Sequence, residues 1–235
     1  MAQTERVVSA AEVARFDALA SRWWDVDGPM RPLHRMNRLR VRWIAERAKA
    51  RVGAGARLLD LGCGAGIAAE ALAREGFDVL GVDASVPAIE AARAHAAAGG
   101  LAIGYRSGLA EDLVAEGARF GVVTALEIIE HVPDQAGFVA MLARLLEPDG
   151  VLFVSTINRT LGSLAVAKIG AEYIARLLPA GTHDWRRFVR PDELAGFGRA
   201  AGLRLAEMSG MVMDPAGGWR GSRNVAVNYI AALTR

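Results

Sequence analysis

Cysteine occurs once, at Cys63, so the chain can form no internal disulfide and a reducing, cytoplasmic setting is expected. Lysine is nearly missing. Only Lys49 and Lys168 occur, and the rest of the positive charge is arginine. The net charge is only +2, which gives no electrostatic basis for a polyanionic partner, so nucleic-acid binding is not expected. The pI near 9.0 reflects the same small arginine excess. No stretch approaches the roughly 20 apolar residues that a membrane-spanning helix needs. The opening "MAQTERVVSAAEVARF" has no long apolar core behind a basic start, so no signal peptide is expected. Repeats and low-complexity linkers are lacking too; "AARAHAAAGG" reads as a helix end with a glycine stop. What remains is a globular balance, 52% apolar and 23% charged over 235 residues, sufficient for one sizeable core.

The chain changes pattern near residue 53. Before it, residues 10–22 carry Val13, Phe16, Leu19 and Ala20 at helical spacing; Gly28, Pro29 and Pro32 break that pattern, and a helix resumes in "MNRLRVRWIAERAKA". Residues 1–52 therefore read as an N-terminal helical cap. From 53 to 235, apolar strands alternate with helices: "RLLDL", "FDVLGVD", "AIGYR", "FGVVTAL" and "VLFVST". That alternation predicts an α/β fold with a doubly wound, mostly parallel sheet, whose strands are apolar on both faces. An inserted segment of about 158–190 interrupts it. "PDELAGFGRAAG" then reads as a helix, and "LRLAEMSG" and "NVAVNYIAALT" as two final strands, with turn-rich "DPAGGWRGSR" between them.

The first strand runs into "LLDLGCGAG", which places Gly62, Gly64 and Gly66 before a helix. Glycines there let the backbone turn sharply and approach a ligand. A dinucleotide site wants its third glycine at the sixth position of the motif, and here that position is Ile67. Asp60, two residues before Gly62, would repel a pyrophosphate drawn to the helix N-terminus. It suits a ligand with an ammonium and a sulfonium and no phosphate, as in S-adenosylmethionine (SAM). Asp83 ends the second strand, where a carboxylate can accept both ribose hydroxyls. Glu111 and Asp112 stand where an adenine amino group could be received, or in a solvated loop.

"EIIEHVPD" follows the fourth strand. Read as one helical turn, Glu127, Glu130 and His131 share a face. Such a trio could hold a divalent metal (Mg²⁺, Mn²⁺ or Zn²⁺), work as an acid/base group with Glu130 or His131 as the catalytic residue, or only shape the turn. His183, in "GTHDW" of the inserted segment, is a second candidate base.

These motifs resemble class I SAM-dependent methyltransferases, a Rossmann-like fold whose sheet has seven strands, the last inserted antiparallel. "FDALASRWWDVDGPMRPLHRMNRLRVRWIAERA", "STINRT", "GAEYIARLLPAGTHDWRRFVRPDEL" and "VNYIAA" narrow the resemblance to the ubiquinone-biosynthesis O-methyltransferases, from about Phe16 to Ile230. The resemblance implies a polyprenylated catechol or quinol substrate, such as 3-demethylubiquinol, and protein partners from the same pathway. It implies SAM contacts at Arg40, Gly62, Asp83 and Leu126, with Gly64 and Asp60 in the same loop, and a metal at Glu127, Glu130 and His131. It also implies that the insertion is a lid. "SLAVAKIGAEYIARLL" within it has the apolar and charged lines of a helix that could meet the inner membrane face peripherally.

Overall fold

A computed structural model of the protein describes residues 17, 22–28, 30–164, 185–214 and 218–235. The helix expected over 10–22 and the body of the inserted segment, His183 included, fall almost wholly outside those residues.

Among the described residues the first complete helix, α1 (Arg31–Val52), starts earlier than the sequence reading places it. Pro32 does not break this helix but sits in its first turn, where a missing N–H costs nothing. Then come β1 (Arg57–Leu61), α2 (Ile67–Arg74), β2 (Asp78–Asp83), α3 (Val86–Ala98), β3 (Gly104–Ser107), α4 (Ala110–Ala115) and β4 (Phe120–Leu126). A 3-10 turn at Ile129–His131 leads to α5 (Gln135–Arg144) and β5 (Leu146–Ile157). A second 3-10 turn, Trp185–Arg187, precedes α6 (Pro191–Ala200), β6 (Arg204–Met213), β7 (Trp219–Ser222) and β8 (Asn228–Thr234).

The strands form one sheet in the order β3-β2-β1-β4-β5-β8-β6-β7. β1 to β5 are parallel, β8 is antiparallel to both β5 and β6, and β7 is antiparallel to β6. The expected count of seven strands is corrected to eight among the described residues. The extra one is β7, in the segment read as turns: β6 runs on to Met213, and the chain returns with Met213 opposite Trp219 and Gly210 opposite Ser222.

Strand residues alternate between two apolar layers, as the pleat requires. Leu58, Val122 and Phe153 face α1, α2 and α3, meeting Ile44, Ala48, Leu72 and Ile89. Leu59, Val123 and Val154 face the other way and meet Leu113, Phe138, Leu142 and Leu194. α1 thus shares its core with the sheet. The carboxyl ends of β1, β2, β4 and β5 gather Asp60, Asp83, Leu126 and Ser155 at one edge, where open α/β sheets bind ligands.

Candidate active site

The glycine loop begins where β1 ends. Gly62, Gly64 and Gly66 all have positive φ, at 70°, 53° and 89°. That region is costly for other residues, and here a side chain would also collide with its neighbours. A Cβ on Gly62 would overlap Ile128, one on Gly64 the Trp23 ring, and one on Gly66 the Tyr105 hydroxyl. The loop is therefore packed on three sides by protein. Gly64→Ala should cost roughly 2–4 kcal/mol, combining overpacking with the backbone penalty, and lower the melting temperature by about 5–10 °C in calorimetry.

The stretch before α1 holds this loop from above. The Trp24 indole N–H donates to the Ala65 carbonyl at 3.0 Å. Its ring stacks on His95 of α3, with centroids 3.4 Å apart and planes 2° from parallel. His95 Nδ1 lies 2.7 Å from Oε1 of the buried Glu70, which also accepts from Arg74. On β2, Asp83 accepts from the Gly64 and Ser85 backbone N–H groups, each at 2.8 Å. Burial raises the Asp83 pKa above the ordinary carboxylate value despite those bonds. Asp112 Oδ2 accepts from the Leu109 N–H and so caps α4, while the buried Glu111 Oε2 has no hydrogen-bond partner.

Asp60 and Arg40 lie beneath the loop, 2% and 3% exposed. Asp60 Oδ1 accepts from the Thr124 hydroxyl at 2.7 Å, and Oδ2 has no hydrogen-bond partner. Burial pushes the Asp60 carboxyl up to about 6, although Thr124 and Arg40 pull it down. Arg40 Nη1 stands 3.5 Å from Glu127 Oε1, yet neither Nη1 nor Nε makes a hydrogen bond. Burial lowers the Arg40 pKa, opposed by Glu127, Asp60 and Glu130. Unpartnered donors on a guanidinium and an unpartnered carboxylate oxygen suit the carboxylate and ammonium of an amino acid. The residues present therefore fit SAM.

"EIIEH" is not one helical turn. Glu127 has φ 57°, the one non-glycine residue with positive φ among the described residues. Its N–H donates to the Ser155 carbonyl at 3.0 Å, and its Oε1 accepts from the Ser155 hydroxyl at 2.6 Å. Glu130 points inward, where Oε2 accepts from Thr156 at 2.9 Å and the buried Oε1 has no partner. Burial, then the nearby Glu127, raise the Glu130 carboxyl to about 8. His131 closes the 3-10 turn half-buried. The three side chains are not brought together: among the described residues no group of three His, Cys, Asp or Glu side chains is arranged to hold a metal. The reversed backbone at Glu127 sends its carboxylate to Ser155 and Arg40 while Glu130 goes to Thr156. Leu126 is buried at the end of β4, immediately before this break.

Thr124, Ser155 and Thr156 escaped the sequence reading, although each interrupts an otherwise apolar strand, "FGVVTAL" or "VLFVST". A hydroxyl in a buried strand needs a partner, and here each partner is an acid of the site.

The two raised carboxyls make stability pH-dependent. Asp60 and Glu130 move from ordinary values of 3.8 and 4.5 to about 6 and about 8. The folded chain then holds protons that the unfolded chain has released, so stability falls as pH rises through that window. Thermal melts of the ligand-free protein should show a loss of the order of a few kcal/mol between about pH 4 and pH 8.

The sheet order and the loop between β1 and α2 are those of a SAM-dependent methyltransferase. Residues 33–208 match the model of a methyltransferase-domain family. A SAM-dependent methyltransferase from Thermotoga maritima, described as a possible histamine N-methyltransferase, superposes with TM-score 0.63 at 17% identity, over 95% of this chain and 99% of that one. The magnesium protoporphyrin IX methyltransferase of Synechocystis PCC 6803, solved with bound S-adenosylhomocysteine (SAH), superposes with TM-score 0.59 at 23% identity, covering 83% and 80%. Among curated relatives, the ubiquinone biosynthesis O-methyltransferase of Caulobacter vibrioides is 46% identical over 239 residues, 97% of this chain and 95% of its own length. That of Thiobacillus denitrificans is 46% identical over 230 residues, covering 97% and 98%. The chain belongs to the ubiquinone biosynthesis O-methyltransferase family.

Proposed function

We propose that the protein transfers the SAM methyl group to a hydroxyl of a polyprenylated catechol or quinol, 3-demethylubiquinol included. The observation that carries this reading is the 46% identity to ubiquinone biosynthesis O-methyltransferases over 97% of the chain.

SAM supplies an electrophilic methyl on a sulfonium. In this reading Arg40 holds the methionine carboxylate, Asp60 the ammonium, and Asp83 the ribose hydroxyls. The glycine loop and the Leu126 backbone line the cofactor. The enzyme must align the acceptor oxygen with the methyl carbon and sulfur, and such positioning supplies much of the rate. The acceptor hydroxyl loses its proton as the new C–O bond forms and the C–S bond breaks, leaving a thioether. We assign that proton to Glu130. Its Oε1 is unpartnered, Oε2 is anchored on Thr156, and a carboxyl raised toward neutral pH is a competent general base. His131, beside it on the same turn, is a secondary candidate. No step is routed through a metal.

Residues 1–52 serve as a cap on the cofactor end, and the insertion of about 158–190 as a lid over the acceptor. Among the described residues no helix is long and apolar enough to cross a membrane. A polyprenylated acceptor resides in the bilayer, and this reading includes peripheral membrane contact by the insertion. Co-sedimentation with anionic liposomes checks that contact, and an unbound protein would sink it.

The deciding experiment is a methyl-transfer assay with a short-chain demethylubiquinol, run with and without a chelator. Turnover in both conditions is the expected result. No methylation of any catechol or quinol would overturn the reading.

A further inference from the structure

Asn37 lies one turn before Arg40 on the same face of α1 and is 6% exposed. Its Nδ2 donates to the Ile67 carbonyl, at the start of α2, at 2.9 Å. A carbonyl only accepts, so the amide nitrogen must face Ile67 and Oδ1 must face away. That Oδ1 is buried and makes no hydrogen bond. Two other groups that lack hydrogen bonds border the same end of the sheet. One is the pair Nε and Nη1 of Arg40; the other is Oδ2 of Asp60. Arg40 and Asp60 interact electrostatically, and the Ala69 backbone near the start of α2, two residues beyond the Asn37 anchor, is close enough to Asp60 to help hold its carboxyl down.

The set comprises guanidinium donors and two acceptors, all on side chains more than nine-tenths buried. An ammonium carries three N–H donors. Asp60 Oδ1 already accepts from Thr124, which leaves Oδ2 as its oxygen without a hydrogen bond. A second acceptor is needed, and an amide supplies it without placing another negative charge beside a carboxyl already raised by burial. Each buried polar atom without a partner is costly, and an α-amino-acid zwitterion brings both the carboxylate and the ammonium that such groups take.

We infer that Asn37 is a cofactor-positioning residue whose Oδ1 accepts a hydrogen bond from the ammonium of the co-substrate's amino-acid end. The inference rests on the reading of this site as a SAM site. Its role is separable from holding the loop, because the two tasks use different atoms: Nδ2 holds Ile67 and Oδ1 meets the ligand.

Calorimetric titration of the full-length protein tests it with two ligands. SAH carries the amino-acid end; 5′-methylthioadenosine has the same nucleoside and thioether sulfur without it. Asn37→Ala should weaken SAH by about ten- to a hundredfold, the effect of losing a hydrogen bond to a charged group. Methylthioadenosine should change by less than about threefold. Equal weakening of both ligands would show that Asn37 only holds the loop, and no change in either would remove it from the site; both results overturn the inference. Should Asn37→Ala fold poorly, Asn37→Leu fills the same volume. The wild-type preference for SAH over its desamino analogue is a further readout, and it should shrink by the same factor in either variant. A wild-type protein that binds no SAH would instead overturn the SAM reading itself.

Discussion

Glu130→Gln is expected to slow methyl transfer by roughly a hundredfold to ten-thousandfold, the usual worth of a positioned general base. The substitution keeps the shape and leaves an amide oxygen for Thr156, so it removes little but the proton acceptor. SAH affinity should move less than about threefold, because the groups assigned to the cofactor are untouched. Two signatures separate a base from a structural acid. The wild-type rate should rise with pH as Glu130 loses its proton, and the variant should lose that limb. The defect should also shrink with more acidic phenols, which reach the site already deprotonated. A variant within tenfold of wild type at all pH values would transfer the role to His131 or to the unassigned His183.

Arg40→Met should weaken SAM and SAH binding by at least about a hundredfold, because a buried guanidinium bonded to a carboxylate has no apolar substitute. The same change should alter how stability depends on pH. Arg40 faces Glu127, Asp60 and Glu130, and its charge holds the Asp60 and Glu130 carboxyls down. Without it both rise further, so the folded variant keeps protons to higher pH than wild type does. Its stability deficit should be small near pH 5, where those carboxyls are largely protonated in either protein. It should grow toward pH 8, where wild type benefits from the Arg40 charge, to about 3–5 kcal/mol. Denaturant melts at the two pH values check this; a deficit independent of pH would mean that Arg40 matters only as packing.

The parallel half of the fold was legible because its strands are buried on both faces, so "RLLDL", "FGVVTAL" and "VLFVST" stand out as apolar runs. β7 was not legible, since "WRGS" lies among turn residues and forms a strand because β6 extends far enough to pair with it. The site divides in a similar way. Asp60, Asp83 and Arg40 could be placed by position relative to a strand end or by resemblance. The geometry of Glu127 could not, because its left-handed backbone is fixed by Ser155 across the sheet, and no local propensity encodes it. Asn37 carries no signal of its own within an arginine-rich helix, and the direction of its amide hydrogen bond singles it out in the structure.

The position of β8 has a consequence for synthesis. It follows every other described strand in sequence, yet it sits inside the sheet, joining β5 on one side to β6 on the other through Ser155–Ile230–Ser209 and its neighbours. Chains emerge from the ribosome N-terminus first. β1 to β5 can therefore assemble early, while the β6–β7 hairpin has no edge to join until residues 228–234 appear. Until then the β5 edge is an open template for another chain, bordering the half-built site. Truncation before residue 228 would detach the hairpin and leave one edge of the active-site strand β5 unpaired.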